Sequence, residues 1–144
     1  MIHACIFTTS LSILVTADPT SAFHPQCGIR QGCPLSPYFF VLAVNELSTR
    51  LQNCMHNKNI QGVMIGPNSP RIQSLLFADD LIICGHATAS EATNINYVLQ
   101  NFRATSGQTP NLNKSAILFS KHVDQHTKNS VKAIFHVTDL PLTP

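Results

Sequence analysis

Short apolar runs and longer amphipathic stretches alternate along this chain. Ile2 to Thr8 and Leu11 to Thr16 are rich in Ile, Val, Thr and Leu and predict two strands separated by Thr9-Ser10. Ala17-Asp18-Pro19-Thr20 has turn chemistry. Residues 20–36 hold Pro25, Gly28, Gly32 and Pro34 and read as a loop. Ser36 then offers an N-cap, and Pro37 fits the first helical position, where its missing N–H costs nothing. Phe40, Val44, Leu47 and Leu51 follow at helical spacing, and the pattern fades between Gln52 and Asn59.

Further on, Gly62 to Gly66 predicts a short strand and Pro67-Asn68-Ser69-Pro70 a turn. Ile72 to Phe77 and Leu81 to Cys84 are apolar strands flanking Ala78-Asp79-Asp80. The spacing of Ile95, Val98, Leu99 and Phe102 predicts a helix over 89–105, stopped by Gly107. Ala116 to Phe119 reads as a strand, and a third helix starts at Asp124 with Val131, Ile134 and Phe135 on its apolar side. This order predicts an α+β domain, with helices packed on one face of a small antiparallel sheet.

At 144 residues the chain suits one compact domain. Apolar residues make up 44%, which argues against disorder. Charged residues make up only 11%, against about 25% in ordinary globular chains. Part of the surface is therefore expected to face other protein, and the isolated chain to self-associate. A net charge of +2 does not by itself call for nucleic acid. The five cysteines form no Cys-x-x-Cys pair, which speaks against a zinc site or a disulfide framework. Free thiols in a reducing, intracellular compartment follow, cytoplasm and nucleus being equally open. His122 and His126 stand at i, i+4 with no matching ligand nearby in sequence, so no metal is assigned to them. The apolar N-terminal stretch lacks the basic region of a signal peptide, and no run is long enough to span a membrane.

Two stretches carry candidate chemistry. In Leu75 to Cys84, adjacent Asp79 and Asp80 interrupt an apolar run. Buried carboxylates are costly, neighbouring ones repel, and a divalent cation such as Mg²⁺ relieves both problems. The bland alternative is a wet hairpin tip, though such tips favour a glycine that is lacking here. Gly28-Ile29-Arg30-Gln31-Gly32-Cys33-Pro34-Leu35-Ser36-Pro37 is a glycine-bearing loop that feeds a capped helix. Its backbone N–H groups and Arg30 suit phosphate, and Gln31 can both donate and accept. A purely structural loop is the alternative.

Taken together, these stretches resemble the reverse transcriptases of non-LTR (LINE-type) retrotransposons, plant members in particular. Arg30 to Pro37 is similar to that family's Gln-Gly loop, and Phe77-Ala78-Asp79-Asp80 to its aromatic-x-Asp-Asp turn. Ser106-Gly107-Gln108, Asn113-Lys114-Ser115 and Phe119-Ser120 resemble its downstream segment, in the same order. The resemblance implies an RNA-directed DNA polymerase palm using Mg²⁺ or Mn²⁺, with RNA template, DNA primer and dNTP as partners. It implies that Asp79 and Asp80 hold metal and that Ala78 lies beside the primer. It further places Arg30, Gln31 and Gly32 at the incoming nucleotide and template, and Lys114 near the nucleotide phosphates.

The family pattern also contains a catalytic Asp on a separate strand upstream of the Gln-Gly loop. Here the acids before Asp79 are Asp18 and Glu46, and Asp18 sits in turn context. Residues 1–144 are therefore expected to form a partial palm, with fingers, upstream catalytic strand and thumb missing, and to be inactive alone. A non-catalytic RNA- or protein-binding module and a degenerate relic of a mobile element share the same motifs and remain open alternatives.

Overall fold

The computed structural model describes Thr8, residues 10–24 and residues 32–140. The chain divides into two compact units, Met1–Leu42 and Ala43–Pro144. In the first, β1 (Leu14–Val15) pairs antiparallel with β2 (Asp18–Pro19). Thr16 and Ala17 form the turn, with φ of 50° and 71°. Two left-handed residues match the twist that a two-residue hairpin needs. The turn thus falls two residues earlier than the Asp18-Pro19 chemistry suggests. Proline is tolerated in β2 because a ribbon with one partner needs few ladder donors. Leu11 and Phe23 extend the ribbon by reciprocal backbone bonds of 2.9 and 2.8 Å. The strand expected over Ile2 to Thr8 lies outside the described residues, apart from Thr8.

Helix α1 (Ser36–His56) begins where Ser36 and Pro37 indicate and outlasts the sequence periodicity by a turn. It ends as Lys58 turns left-handed, at φ 60°, and the N–H groups of Asn59 and Ile60 both reach the Cys54 carbonyl. This fold-back drives Ile60 into the second unit's core, where it is fully buried beside Leu47 and Leu51. Burying a side chain of this size contributes about 1.5–3 kcal/mol. Helix α2 (Ala89–Ser106) supplies Ile95, Val98 and Phe102 to the same cluster. Helix α3 (Gln125–Phe135) buries Val131 and packs on α2.

The remaining strands form separate two-stranded ribbons instead of one sheet. β3 (Val63–Met64) pairs with β4 (Arg71–Ile72), and β5 (Ser74–Phe77) with β6 (Asp80–Ile83), both antiparallel. β7 (Ala116–Ile117) pairs with β8 (Thr138–Asp139) in parallel. That parallel pairing departs from the all-antiparallel expectation. Its cause is α3, which carries the chain back across the ribbon so that both strands run the same way. Gly62 holds the start of the β3–β4 ribbon at φ 63°, where a Cβ would lie 2.7 Å from the Ile72 carbonyl oxygen.

Glu91 joins these pieces. Thr88 caps α2, its hydroxyl accepting from the Glu91 N–H at 3.2 Å. The Glu91 side chain is only 5% exposed. Its two oxygens accept the Gln61 N–H at 3.1 Å and the His86 N–H at 2.8 Å. One carboxylate thereby ties the approach to β3, the exit from β6 and the start of α2. Gly85 is needed beside it, since a Cβ there would lie 2.8 Å from Glu91 Oε2. Glu91→Ala orphans both backbone donors and should cost about 2–4 kcal/mol, Glu91→Gln clearly less. Urea unfolding of the two variants decides this, and equal losses would remove the carboxylate from its organising role.

α3 is capped by Asp124. Its Oδ2 accepts from the Thr127 hydroxyl at 2.6 Å and its Oδ1 from the Thr127 N–H at 2.9 Å. The hydroxyl bond first, and then the backbone bond, hold the Asp124 carboxyl below its ordinary value of 3.8. A carboxyl depressed in the fold stabilises it above that ordinary value, and the contribution is lost as pH falls through the lower folded value. Helicity at 222 nm should therefore drop on acidification below about pH 3.8, and Asp124→Asn should flatten that step. An unchanged step in the variant would assign it to other carboxyls.

Candidate active site

Asp79 and Asp80 sit at the apex of the β5–β6 hairpin. Phe77 pairs with Asp80, so Ala78 and Asp79 are the whole connection. Ala78 is left-handed, with φ 52°, while Asp79 is not among the positive-φ residues. That sign pattern belongs to a II′ turn, which prefers glycine at its first position. Alanine there costs about 1–2 kcal/mol in backbone strain. The sequence expectation that no glycine was available is met by strain at Ala78.

The register puts Leu75, Ile82, Phe77 and Asp80 on one face of the hairpin and Ser74, Ile83, Leu76 and Leu81 on the other. Leu81 and Ile83 pack against the helical core. On the opposite face Phe77 is 82% exposed, Ile82 59% and Leu75 51%. Both aspartates are exposed as well. This corrects the burial inferred from the apolar flanks. The flanks are apolar, yet Leu75, Phe77, Ile82 and both aspartates are exposed, so the carboxylates keep their water. What remains of the metal reasoning is donor chemistry: two hard carboxylate oxygens sets, adjacent and open to solvent. Among the described residues no group of three or more His, Cys, Asp or Glu side chains converges on a common point.

The other candidate residues are distributed as follows. Arg30 and Gln31 lie outside the described residues. Gly32 belongs to the first unit, is left-handed at φ 81°, and would admit a Cβ without a close neighbour. Lys114 is exposed at the end of a 3₁₀ turn, Leu112–Lys114, capped by the Asn111 side chain. No salt bridge joins it to Asp79 or Asp80 among the described residues. The fold thus brings Ala78, Asp79 and Asp80 together and leaves Lys114 on a separate turn. Cys84 extends the hairpin ladder, its N–H reaching the Gln73 carbonyl at 2.8 Å, and the Glu91 bond to His86 fixes the chain just beyond. Sequence reasoning passed over this anchor, although Thr88-x-x-Glu91 is itself a helix-start signal.

Comparison with known proteins identifies the family. The chain belongs to the reverse transcriptase (RNA-dependent DNA polymerase) family, whose sequence profile matches residues 1–134. It is 29% identical over 133 residues to a retrovirus-related Pol polyprotein from type-1 retrotransposable element R2 of Popillia japonica, covering 92% of this chain and 21% of that protein. It is also 40% identical over 70 residues to an uncharacterized mitochondrial protein of Arabidopsis thaliana, covering 49% of this chain and 57% of that protein. No solved structure matches. Membership of this family implies the use of divalent metal in general. No helix among the described residues is long and apolar enough to cross a membrane.

Ala78→Gly should stabilise the second unit by roughly 0.5–1 kcal/mol, the relieved left-handed strain less the added freedom of the unfolded chain. Ala78→Val should destabilise it, because a β-branched residue suits that region worse still. Chemical denaturation tests both, and a loss with glycine would show that Ala78 is not strained.

Proposed function

We propose that this chain is part of the palm of a retrotransposon-type reverse transcriptase, and that Asp79 and Asp80 form one side of its divalent-metal site. The observation that carries this reading is the two-residue turn that presents both carboxylates to solvent at one hairpin apex. A bound Mg²⁺ or Mn²⁺ would neutralise phosphate charge and favour attack by a primer 3′-hydroxyl on a nucleotide. The chain's own residues hold and position. Asp79 and Asp80 supply acceptor-only oxygens. Ala78, with a single methyl group at the apex, lets a primer strand come close. Arg30, Gln31 and Gly32 border the nucleotide and template, and Lys114 meets the nucleotide phosphates. RNA template, DNA primer and dNTP are the partners on this reading.

Two-metal transfer needs carboxylates on both sides of the ions. Residues 1–144, taken as a partial palm, provide one side, so the isolated chain does not extend a primer. The bare face of Leu75, Phe77 and Ile82 also leads the isolated chain to associate with itself. Mn²⁺ should broaden the amide resonances of Ala78 to Leu81, and Asp79→Asn with Asp80→Asn should abolish the effect. Broadening that survives the double substitution would place the metal elsewhere. Primer extension that disappears with Asp79→Asn would overturn the inactivity, and a monodisperse monomer in light scattering the self-association.

A further inference from the structure

The hydrophobic pattern does not select the register of the β5–β6 hairpin. β5 offers Leu75, Leu76 and Phe77 in succession, and β6 offers Leu81, Ile82 and Ile83. Both faces of the ribbon are therefore apolar, and register is weakly specified where burial does not tell the faces apart. Sliding one strand by a residue would set Phe77 opposite Leu81 and Leu75 opposite Ile83. Leu75 and Phe77, exposed in the structure, would then join the face that Leu81 and Ile83 turn to the core. The connection would lengthen to Ala78-Asp79-Asp80. A three-residue loop takes its left-handed residue at the last position, here Asp80, which tolerates that region better than Ala78. Burial and backbone strain both favour the slipped pairing, yet the structure pairs Phe77 with Asp80.

Directional contacts at the base of the hairpin hold that register. The Cys84 N–H reaches the Gln73 carbonyl at 2.8 Å, one step beyond the Ser74–Ile83 pair. Next along the chain, the His86 N–H donates to Glu91 Oε2 at 2.8 Å and fixes the leg that leaves β6. The leg that enters β5 rests on Gln61 and Gly62. Arg71 donates to the Gln61 carbonyl at 3.2 Å, and Gly62 approaches the Ile72 carbonyl too closely to admit a Cβ. Gln61 in turn donates its N–H to Glu91 Oε1 at 3.1 Å. Both legs are thus referred to one buried carboxylate. A slip of one residue, about 3.4 Å along a strand, is more than a hydrogen bond can stretch. We propose that Glu91 is a positioning residue for the paired acids: it selects the register in which Ala78 and Asp79 form the turn and Asp80 opens β6.

Glu91 acts through the backbone of Gln61 and His86, where both of its oxygens are engaged. Its selection of register stands on the hairpin alone, while the consequence for cation affinity rests on the reading of the turn as a divalent-metal site. Two substitutions separate the carboxylate's hydrogen bonds from its presence. Glu91→Gln keeps one acceptor oxygen and turns an NH₂ group toward the other N–H. Gly85→Ala leaves the carboxylate in place but sets a Cβ 2.8 Å from Oε2, displacing it from the His86 N–H. Val98→Ala is the control, since it opens the same apolar cluster and leaves both Glu91 bonds intact.

The test is nuclear magnetic resonance of the isotope-labelled whole chain, with cross-strand Overhauser contacts as one readout and Mn²⁺ titration as the other. The wild type should show contacts between Phe77 and Asp80 and between Leu75 and Ile82. Glu91→Ala should add or substitute the Phe77–Leu81 contact of the slipped pairing. It should also weaken the apparent Mn²⁺ affinity at Ala78 to Leu81 about tenfold, the lower end of what losing an orienting partner costs a metal site. Glu91→Gln and Gly85→Ala should shift both readouts the same way by less, and they serve if Glu91→Ala loses its helical circular dichroism. Val98→Ala should lower stability and shift neither readout. A wild type without Mn²⁺ broadening removes the metal reading alone, because the Overhauser contacts still decide the register. Wild-type contacts in folded Glu91→Gln and Gly85→Ala would overturn the proposal, as would a slip in Val98→Ala equal to theirs.

Discussion

The second unit depends on one buried carboxylate. Glu91 accepts two backbone N–H groups from segments that lie 30 and 5 residues away in sequence. Among the described residues no ribbon is longer than four residues per strand, and isolated two-stranded pieces of that size are marginal in water. What holds them is attachment to the helices. The apolar cluster of Leu47, Leu51, Ile60, Ile95, Val98 and Phe102 provides the attraction. It is non-directional and would accept several arrangements of the strands. Glu91 removes that freedom, because leaving either N–H group without an acceptor carries its full desolvation cost. Asn94 adds a parallel tie, donating to the Asn59 carbonyl at 2.8 Å. The paired acids stand at the far end of a hairpin whose base is pinned in this way.

That hairpin has two unlike faces, and the difference gives the chain its character. One face meets the helices through Leu81 and Ile83. The other shows Leu75, Phe77 and Ile82 to solvent beside Asp80. The low charged fraction of this sequence, 11%, fits a surface that carries such an apolar face. The chain spans about one fifth of the length of the Popillia polyprotein it resembles.

Much of the fold was legible in the sequence because local signals agreed. Ser36-Pro37, Gly107 and Asp124 mark helix ends that the structure places within a residue or so. The hairpin strands around Ala78-Asp79 followed from their apolar runs. The misjudged features were those decided by distant partners. Apolar flanks suggested buried aspartates, yet burial depends on whether another layer covers the outer face, and periodicity along a strand is blind to that. Parallel pairing of β7 and β8 arises from where α3 docks, which no pair of two-residue strands announces. The first turn was misplaced because Thr16 and Ala17, neither favoured at positive φ, adopt the left-handed region, while the turn chemistry of Asp18 and Pro19 falls in the strand that follows. At the candidate site the residue types and their order were plain, while the strain at Ala78 became visible only with its φ angle.

Synthesis order gives Glu91 one more consequence. A ribosome emits α1 long before α2, so Leu47, Leu51 and Ile60 emerge with nothing to pack against. Between Leu51 and Ile95 the chain must grow by 44 residues, which takes roughly 2–9 s at the usual pace of translation. Hairpins close within microseconds, so β3–β4 and β5–β6 can form and reopen many times in that interval. The N–H groups of Gln61 and His86 meet their acceptor only after Glu91 has left the exit tunnel. Until α2 follows, Leu47, Leu51 and Ile60 lack the Ile95, Val98 and Phe102 side chains that cover them in the fold.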